Sequence, residues 1–516
     1  MTRNKSVMLV TEGTYPYNGG GVSTWSHILC TETKNTDFTI YAINAAFESA
    51  TKYDLPVSVK NILQIPLWTP DEPHDYISYG DEYYKTIGKK VWTTRKPVST
   101  QFTPLFKELL EFIYSDQKNI PLLDEIFKKL WLYFEDYDFK ETMRQEAVWK
   151  VYKETIEKVV KKERNPDASL MDLTIGMRWI YRFLIPLSIT DVPKVDITHL
   201  TLSGFAVIPA LIAQYKYGSK IVLTEHGVFI RERLLAINSS EYPFFLKKLL
   251  INFSEAFSRL TYYKAEKIIS VNEFNIKWEQ LYGAPLDKIE VIYNGVDHEL
   301  FKPREKPEHL KGIPTVVALA RIFELKDVLT MIRSCAFAKA KLPNIQYLVY
   351  GDDQAVPEYT AECLDLIKKL QLENNFKLMG PRKNSHLLFC EGDVSILTSI
   401  SEGFPYTVIE SMASGIPVIS TDVGGVKEAL DEGSGFLCKP KNAEELGNRV
   451  VQLLLDEALR RSMGIHARQR VLDHFTLDLF IDQYEKAYEN VLSSTILESN
   501  SSQIENAQTT YSTTNS

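Results

Sequence analysis

Apolar residues recur along this chain in two rhythms. Short unbroken runs such as Val7-Met8-Leu9-Val10 stop at polar or glycine-rich loops, the pattern of parallel strands buried on both faces. Between them lie segments with apolar positions three and four apart, which read as helices. A first strand over 6–12 leads through a loop to a helix beginning near Val22, and strands follow at about 37–44 and 57–66. From about 68 to 190 the strand rhythm stops and helical spacing takes over, as in Leu105, Leu109, Ile113 and then Leu123, Phe127, Leu130, Trp131, Phe134. Alternation resumes at Val195–Leu200 and Lys220–Gly227, then at about 267–272 and 288–293. A second series begins with Thr315–Leu319 and continues at about 345–350, 376–379, 394–398 and 417–421.

This alternation predicts an α/β protein with two Rossmann-like domains and a helical insertion in the first. The expected divisions are an N-terminal domain over 1–300 with its insertion at about 68–190 and a C-terminal domain over 312–470. A helix over 471–493 crosses back to the first domain, and a disordered tail rich in Ser, Thr, Asn and Gln fills 494–516. The run Lys302-Pro303-Arg304-Glu305-Lys306-Pro307 is the expected hinge, beside which a cleft should open. A length of 516 residues suits two domains plus an insertion better than one core.

A net charge of −8 disfavours wholesale nucleic-acid binding, so any phosphate site must be local. No apolar run approaches the roughly 18 residues of a membrane helix, and the first residues run into a strand without a signal-peptide core. The expectation is a cytoplasmic protein with no direct membrane span. Five widely spaced cysteines with no Cys-x-x-Cys read as reduced thiols.

Candidate chemistry gathers at strand ends. Gly19, Gly20 and Gly21 precede the first long helix and leave its backbone N–H groups open to an anion, although the spacing is not a dinucleotide fingerprint. His226 sits at the tip of its strand, where a neutral imidazole could meet a sugar hydroxyl or share a proton. His199, mid-strand, reads as an interior histidine. Asp136-Tyr137-Asp138 matches an Asp-x-Asp metal motif, but its helical context argues against a metal. In the second series, Ala318-Leu319-Ala320 breaks into a loop carrying Arg321 and Lys326, and Val394–Thr398 breaks into Ser401-Glu402-Gly403-Phe404-Pro405. On the helix that follows, Ile409, Met412, Ala413 and Ile416 are expected to face the core. Glu410 should share a polar side with Tyr406, Thr407 and Ser414. Asn294 and Asp297 read as turn residues.

Arg321-x4-Lys326 followed by Glu402-x7-Glu410, each at a strand end, resembles the signature of the large retaining glycosyltransferase family of the two-Rossmann-domain (GT-B, GT4) type. Thr224-Glu225-His226-Gly227 with Arg231-Glu232-Arg233, Glu12-Gly13-Thr14-Tyr15-Pro16 and the helical insertion look like the PelF branch, which serves Pel-type exopolysaccharide assembly. The likeness covers nearly the whole chain, and Asn18 departs from the bulkier or basic residue expected before the glycines.

The resemblance implies a UDP-sugar donor, UDP-glucose or UDP-N-acetylhexosamine, and a growing exopolysaccharide as glycan acceptor, with retention of configuration and no metal or other cofactor. It makes His226, Arg321, Lys326 and Glu402 catalytic. Gly19, Gly20, Gly21, Arg321, Lys326, Glu402, Gly403, Phe404 and Glu410 would bind the donor, with Glu410 on the ribose and Glu402 on the transferred sugar. A membrane-bound exopolysaccharide synthase complex is the candidate partner, holding the protein at the inner face of the membrane. Two other readings use the same scaffold: a nucleotide-sugar epimerase, and an inactive scaffold that docks a synthase through the insertion. A glycosidase with paired carboxylates is weaker, since hydrolysis leaves Arg321 and Lys326 without a task.

Overall fold

In a computed structural model, residues 3–67, 82–115, 119–162, 168–189, 191–382 and 384–493 are described. The tail over 494–516 and parts of the 68–190 insertion lie outside them, as does Lys383. The chain forms two compact units, one within 1–269, 276–290 and 485–516, the other from Ser270–Asn275 and Val291–Tyr484.

The first unit is built on β1 (Lys5–Glu12), β2 (Thr36–Asn44), β3 (Val59–Pro66), β4 (Ile197–Leu200), β5 (Lys220–Glu225), β6 (Lys267–Ser270) and β7 (Ile289–Val291). Their order is β3-β2-β1-β4-β5-β6-β7. The second unit holds β8 (Thr315–Leu319), β9 (Gln346–Tyr350), β10 (Phe376–Gly380), β11 (Val394–Leu397), β12 (Val418–Thr421) and β13 (Gly435–Cys438), in the order β10-β9-β8-β11-β12-β13. The pairs β1–β2, β1–β4, β8–β9 and β8–β11 are parallel. Each sheet starts at its centre, winds outward, returns and winds the other way. The reversal falls between β1 and β4 in one and between β8 and β11 in the other. At such a point successive loops leave in opposite directions, and doubly wound sheets place ligands there.

The insertion is helical, with helices Thr103–Ile113, Ile120–Asp136, Glu146–Lys162 and Leu170–Leu184 among its elements. Leu109, Ile113, Leu123, Phe127, Leu130 and Phe134 are buried in the same core as Met8 and Val10 of β1. Asp136 ends one helix and Asp138 caps the next, accepting from the Glu141 N–H at 2.8 Å. Among the described residues, no group of three or more His, Cys, Asp or Glu could hold a metal ion, and no helix is long and apolar enough to cross a membrane.

Two segments behave differently from expectation. Asn294 holds more than its own turn: its Nδ2 donates to the Phe404 carbonyl at 2.7 Å, and the residues from Val291 onward cluster with the second unit, short of the expected boundary at 300. Ser270–Asn275 joins the same unit, and the Glu428 carboxylate accepts from the Glu273 and Phe274 N–H groups at 2.7 and 2.9 Å. Asp297 does hold its turn, through the Glu299 and Leu300 N–H groups. The last helix runs over 477–493 and contributes to both units. In the first, Tyr488 Oη lies 2.7 Å from His199 Nδ1, while Thr224 Oγ1 lies 2.8 Å from His199 Nε2. Both nitrogens of this interior histidine are therefore satisfied.

Close approach between the loops after β8 and β9 depends on Gly351. It adopts φ +148°, and a Cβ there would lie 1.9 Å from the Ala320 carbonyl oxygen, which is backbone and cannot swing away. Gly351→Ala should cost more than about 2 kcal/mol. Urea unfolding of the variant, read by circular dichroism, should show a lowered midpoint at unchanged slope.

Candidate active site

At the reversal point of the second unit, backbone hydrogen bonds stitch the loops together. After β8, the Ala320 N–H donates to Tyr350 O at 2.8 Å and the Ile322 N–H to Asp352 O at 2.9 Å. Lys326 ends a 3-10 turn, Glu324–Lys326. Asp327, left-handed at φ 45°, caps the helix Val328–Lys339 by accepting from the Thr330 N–H at 3.3 Å. From the loop after β11, Thr398 Oγ1 donates to Lys326 O and Asp327 O at 2.9 and 3.0 Å, and the Ile400 N–H donates to Leu325 O at 2.8 Å.

These bonds bring two opposite charges together. Lys326 Nζ lies 2.5 Å from Glu402 Oε1, and Ser399 Oγ donates to the same oxygen at 2.5 Å. Arg321 is exposed on the same loop as Lys326, its guanidinium carbon 5.0 Å from the centre of the Phe323 ring. The loop after β12 closes on the Glu402 loop: Gly424 has φ 54°, a Cβ there would lie 1.8 Å from Glu402 O, and the Gly425 N–H donates to Gly403 O at 2.9 Å. Phe404 is buried, with its ring 4.9 Å from Tyr293 and 5.2 Å from Phe475, so its role here is to anchor the loop.

The helix Tyr406–Ala413 departs from the expected one-sided pattern. Tyr406, Val408, Ile409, Glu410, Ser411, Met412 and Ala413 are all buried, so it has no broad polar side. Ile416, expected in the core, is half-buried. Glu410 is 9% exposed, its Oε2 has no hydrogen-bond partner among the described residues, and burial pushes its carboxyl up to about 7. A carboxylate kept in this state costs stability.

In the first unit, the expected glycine loop and histidine come together at the ends of β1 and β5. Gly20 precedes the helix Gly21–Glu32, and Trp25 of that helix meets His226 edge to face, ring centroids 4.6 Å apart. Burial drives the His226 imidazole down to about 3, so it is neutral near pH 7, and its Nε2 has no hydrogen-bond partner among the described residues. Its neighbour Glu225 is saturated instead, accepting from Ser203 Oγ, Tyr262 Oη and the Phe229 N–H at 3.1, 2.8 and 3.0 Å. Glu225 thus satisfies the first N–H of the next helix and fixes the strand tip that carries His226. Glu12, at the end of β1, is pushed up to about 7 by burial, opposed by the nearby Arg233 cation.

Some of these contacts were not foreseen. Lys52 reaches the glycine loop, its Nζ 2.9 Å from where a Cβ of Gly19 would lie, and the Lys52 N–H donates to Pro16 O at 2.9 Å. Nothing in the polar stretch around Lys52 marks it as a neighbour of that loop. Ser399 and Asn294 were equally silent as partners of the Glu402 loop, whereas the paired glycines Gly424-Gly425 beside a strand end were a usable signal.

A family described as "Domain of unknown function (DUF3492)" matches residues 5–287, more than half of the chain. The chain belongs to this family. Residues 301–470 match "Glycosyl transferases group 1", and the protein is a GT4-like glycosyltransferase. N-acetyl-alpha-D-glucosaminyl L-malate synthase of Bacillus anthracis is 29% identical over 309 residues, 58% of this chain and 76% of that relative. A protein of Salmonella typhimurium named for colanic acid biosynthesis, the glycosyltransferase WcaL, is 30% identical over 204 residues, 37% of this chain. The chain spans only 49% of WcaL's length. Among solved structures, Anabaena Alr3699/HepE in complex with UDP and glucose matches with a TM-score of 0.57 at 14% identity, covering 94% of this chain and 99% of that one. The two parallel-sheet α/β domains have the GT-B fold.

The buried Glu410 carries a pH signature. In the folded protein its carboxyl sits near 7, above the 4.5 of an ordinary glutamate, so its penalty is absent below pH 4.5 and grows as pH rises toward 7. Glu410→Gln, which does not titrate, should melt increasingly above the parent across that window and keep a constant margin at higher pH. The full margin is at most about 3 kcal/mol. Scanning calorimetry from pH 4.5 to 8 measures it; a margin that does not change with pH would refute the assignment.

Proposed function

We propose that this glycosyltransferase is retaining and metal-independent, and that it transfers a sugar from a UDP-sugar, UDP-glucose or a UDP-N-acetylhexosamine, to a growing exopolysaccharide, as in the PelF branch. The observation that supports the reading is the ion pair of Lys326 and Glu402 at the β8–β11 reversal, with Arg321 on the same loop. A nucleotide-sugar donor departs as a diphosphate, so the catalytic problem is charge that grows on the leaving oxygens as the bond to the anomeric carbon loosens. Arg321 offers a planar fork of donors and Lys326 a mobile ammonium, and together they supply the positive charge that a divalent ion provides in other transferases. A donor meets both members of the existing pair, phosphate oxygens taking the ammonium and a sugar hydroxyl donating to Glu402. Gly403 and Phe404 shape that loop, and Glu410 Oε2 accepts from ribose hydroxyls.

On the first unit, Gly19, Gly20 and Gly21 present helix N–H groups to phosphate, and His226 Nε2 accepts a hydrogen bond from a sugar hydroxyl. The exopolysaccharide acceptor follows the colanic acid likeness, and the UDP donor is supported by the relatedness in fold to a protein solved with UDP. A membrane-bound synthase complex is the proposed partner.

With a nucleotide-sugar panel, thermal stabilisation should select a UDP-sugar, by about 2.7 kcal/mol at a hundred times its Kd. Transfer should survive chelation of divalent ions. Arg321→Ala and Lys326→Ala, checked as folded, should each lower kcat by about two to three orders of magnitude. Full activity in both variants would end the proposal, and product formed without acceptor would identify an epimerase.

A further inference from the structure

The helix Tyr83–Trp92, in the insertion, has its faces reversed. At 100° per residue Tyr83, Ile87 and Val91 form one ridge and Tyr84, Gly88 and Trp92 the next, together half the circumference. Lys85, Thr86, Lys89 and Lys90 occupy the other half. In an ordinary surface helix the apolar half would pack inward. Here it faces out: Tyr83 is 81% exposed, Tyr84 68%, Ile87 40%, Val91 66% and Trp92 62%, and no residue of the helix is buried.

The polar half makes the attachments. Thr86 and Lys89 are half-buried, Lys89 Nζ donates to Phe134 O at 3.3 Å, and just beyond the helix Thr93 Oγ1 accepts from the Asp138 N–H at 2.8 Å. The helix is thus fastened to the insertion by its polar side while holding its aromatic side in solvent. Segment 82–97 carries Lys85, Lys89, Lys90, Arg95 and Lys96 against the single acid Glu82, on a chain whose net charge is −8. Lys85 and Lys90 flank the apolar half on opposite edges, and both are exposed.

We propose that this face docks on an anionic lipid bilayer. Its chemistry fits the boundary between headgroups and acyl chains: Ile and Val for the apolar layer, Tyr and Trp rings with polar tips at the headgroup level, and basic residues at the edges reaching lipid phosphates. Because the rest of the acidic chain is repelled by the same surface, this basic patch also sets which side of the protein turns to it. The contact lies in the lipid interface and does not span the bilayer.

The test is sedimentation of the intact protein with phosphatidylcholine vesicles with and without phosphatidylglycerol. The protein should pellet with the anionic vesicles, and high salt should release it. Lys85→Gln and Lys90→Gln should each weaken binding roughly fivefold. Val91→Glu and Trp92→Glu, at solvent-facing positions, should keep the parent's melting temperature and lose binding by more than about tenfold. Failure of the parent to pellet with anionic vesicles overturns the proposal, as does unchanged binding by folded Val91→Glu. A concentration-dependent dimer that Val91→Glu breaks, without vesicle binding, would assign the face to a second copy of this chain instead.

Discussion

A lysine and a glutamate held 2.5 Å apart where a parallel sheet reverses its winding set the terms for the second unit. The reversal between β8 and β11 leaves their loops diverging, and the loops are tied back together by the Thr398 and Ile400 bonds and by Gly424 lying on the Glu402 carbonyl. Such an ion pair contributes little to stability once its desolvation is counted, yet breaking it on one side strands the other charge. A ligand can enter without that cost only if it offers an anion and a hydroxyl donor at once. A sugar joined to a diphosphate does so, which is why the arrangement suits the proposed donor better than a lone phosphate or a free sugar would.

The two units repeat one topology with different electrostatics. In the second, the reversal point carries the Arg321 and Lys326 cations. In the first, burial drives the ionisable groups at the strand ends toward neutrality: His226 is pushed down to about 3 and Glu12 up to about 7. Neutral groups with unpartnered atoms recognise hydroxyls, whereas mobile cations recognise phosphate. The difference follows from local packing, since Trp25 is packed against His226 while Arg321 stands in solvent. Glu410 extends the contrast into the second unit as a buried acid whose cost is borne by the fold, the usual sign of a group kept for something other than stability.

Much of this was legible as pattern. The apolar runs at β1, β8 and β11 mark strands because a strand covered on both faces cannot alternate, and a charge just past such a run must sit at a sheet edge. That logic, with right-handed crossovers, puts Lys326 and Glu402 on one edge of the sheet without a structure. It does not show that Ser399 shares the Glu402 oxygen, or that Asn294 reaches the Phe404 carbonyl 110 residues away. Those are long-range contacts with no local periodicity to announce them. The burial of Glu410 was hidden for another reason. Helical spacing puts it on a polar side shared with Tyr406, Thr407 and Ser414, but spacing carries no statement of how deeply that side is covered.

The helix Tyr83–Trp92 exposes a more general limit. Periodicity at 3.6 residues states that two faces of a helix differ; it carries no sign saying which face turns inward. The usual assignment, apolar side in, rests on the gain from burying that side against the same chain. At Leu109, Phe127 and Phe134 that gain is realised, because those side chains reach the core of β1. At Tyr83, Val91 and Trp92 it is not, and the Lys89 and Thr93 hydrogen bonds hold the helix the other way round. A fold that keeps a helix in the less favourable orientation leaves the burial energy of five large side chains unspent, available to whatever surface can cover them.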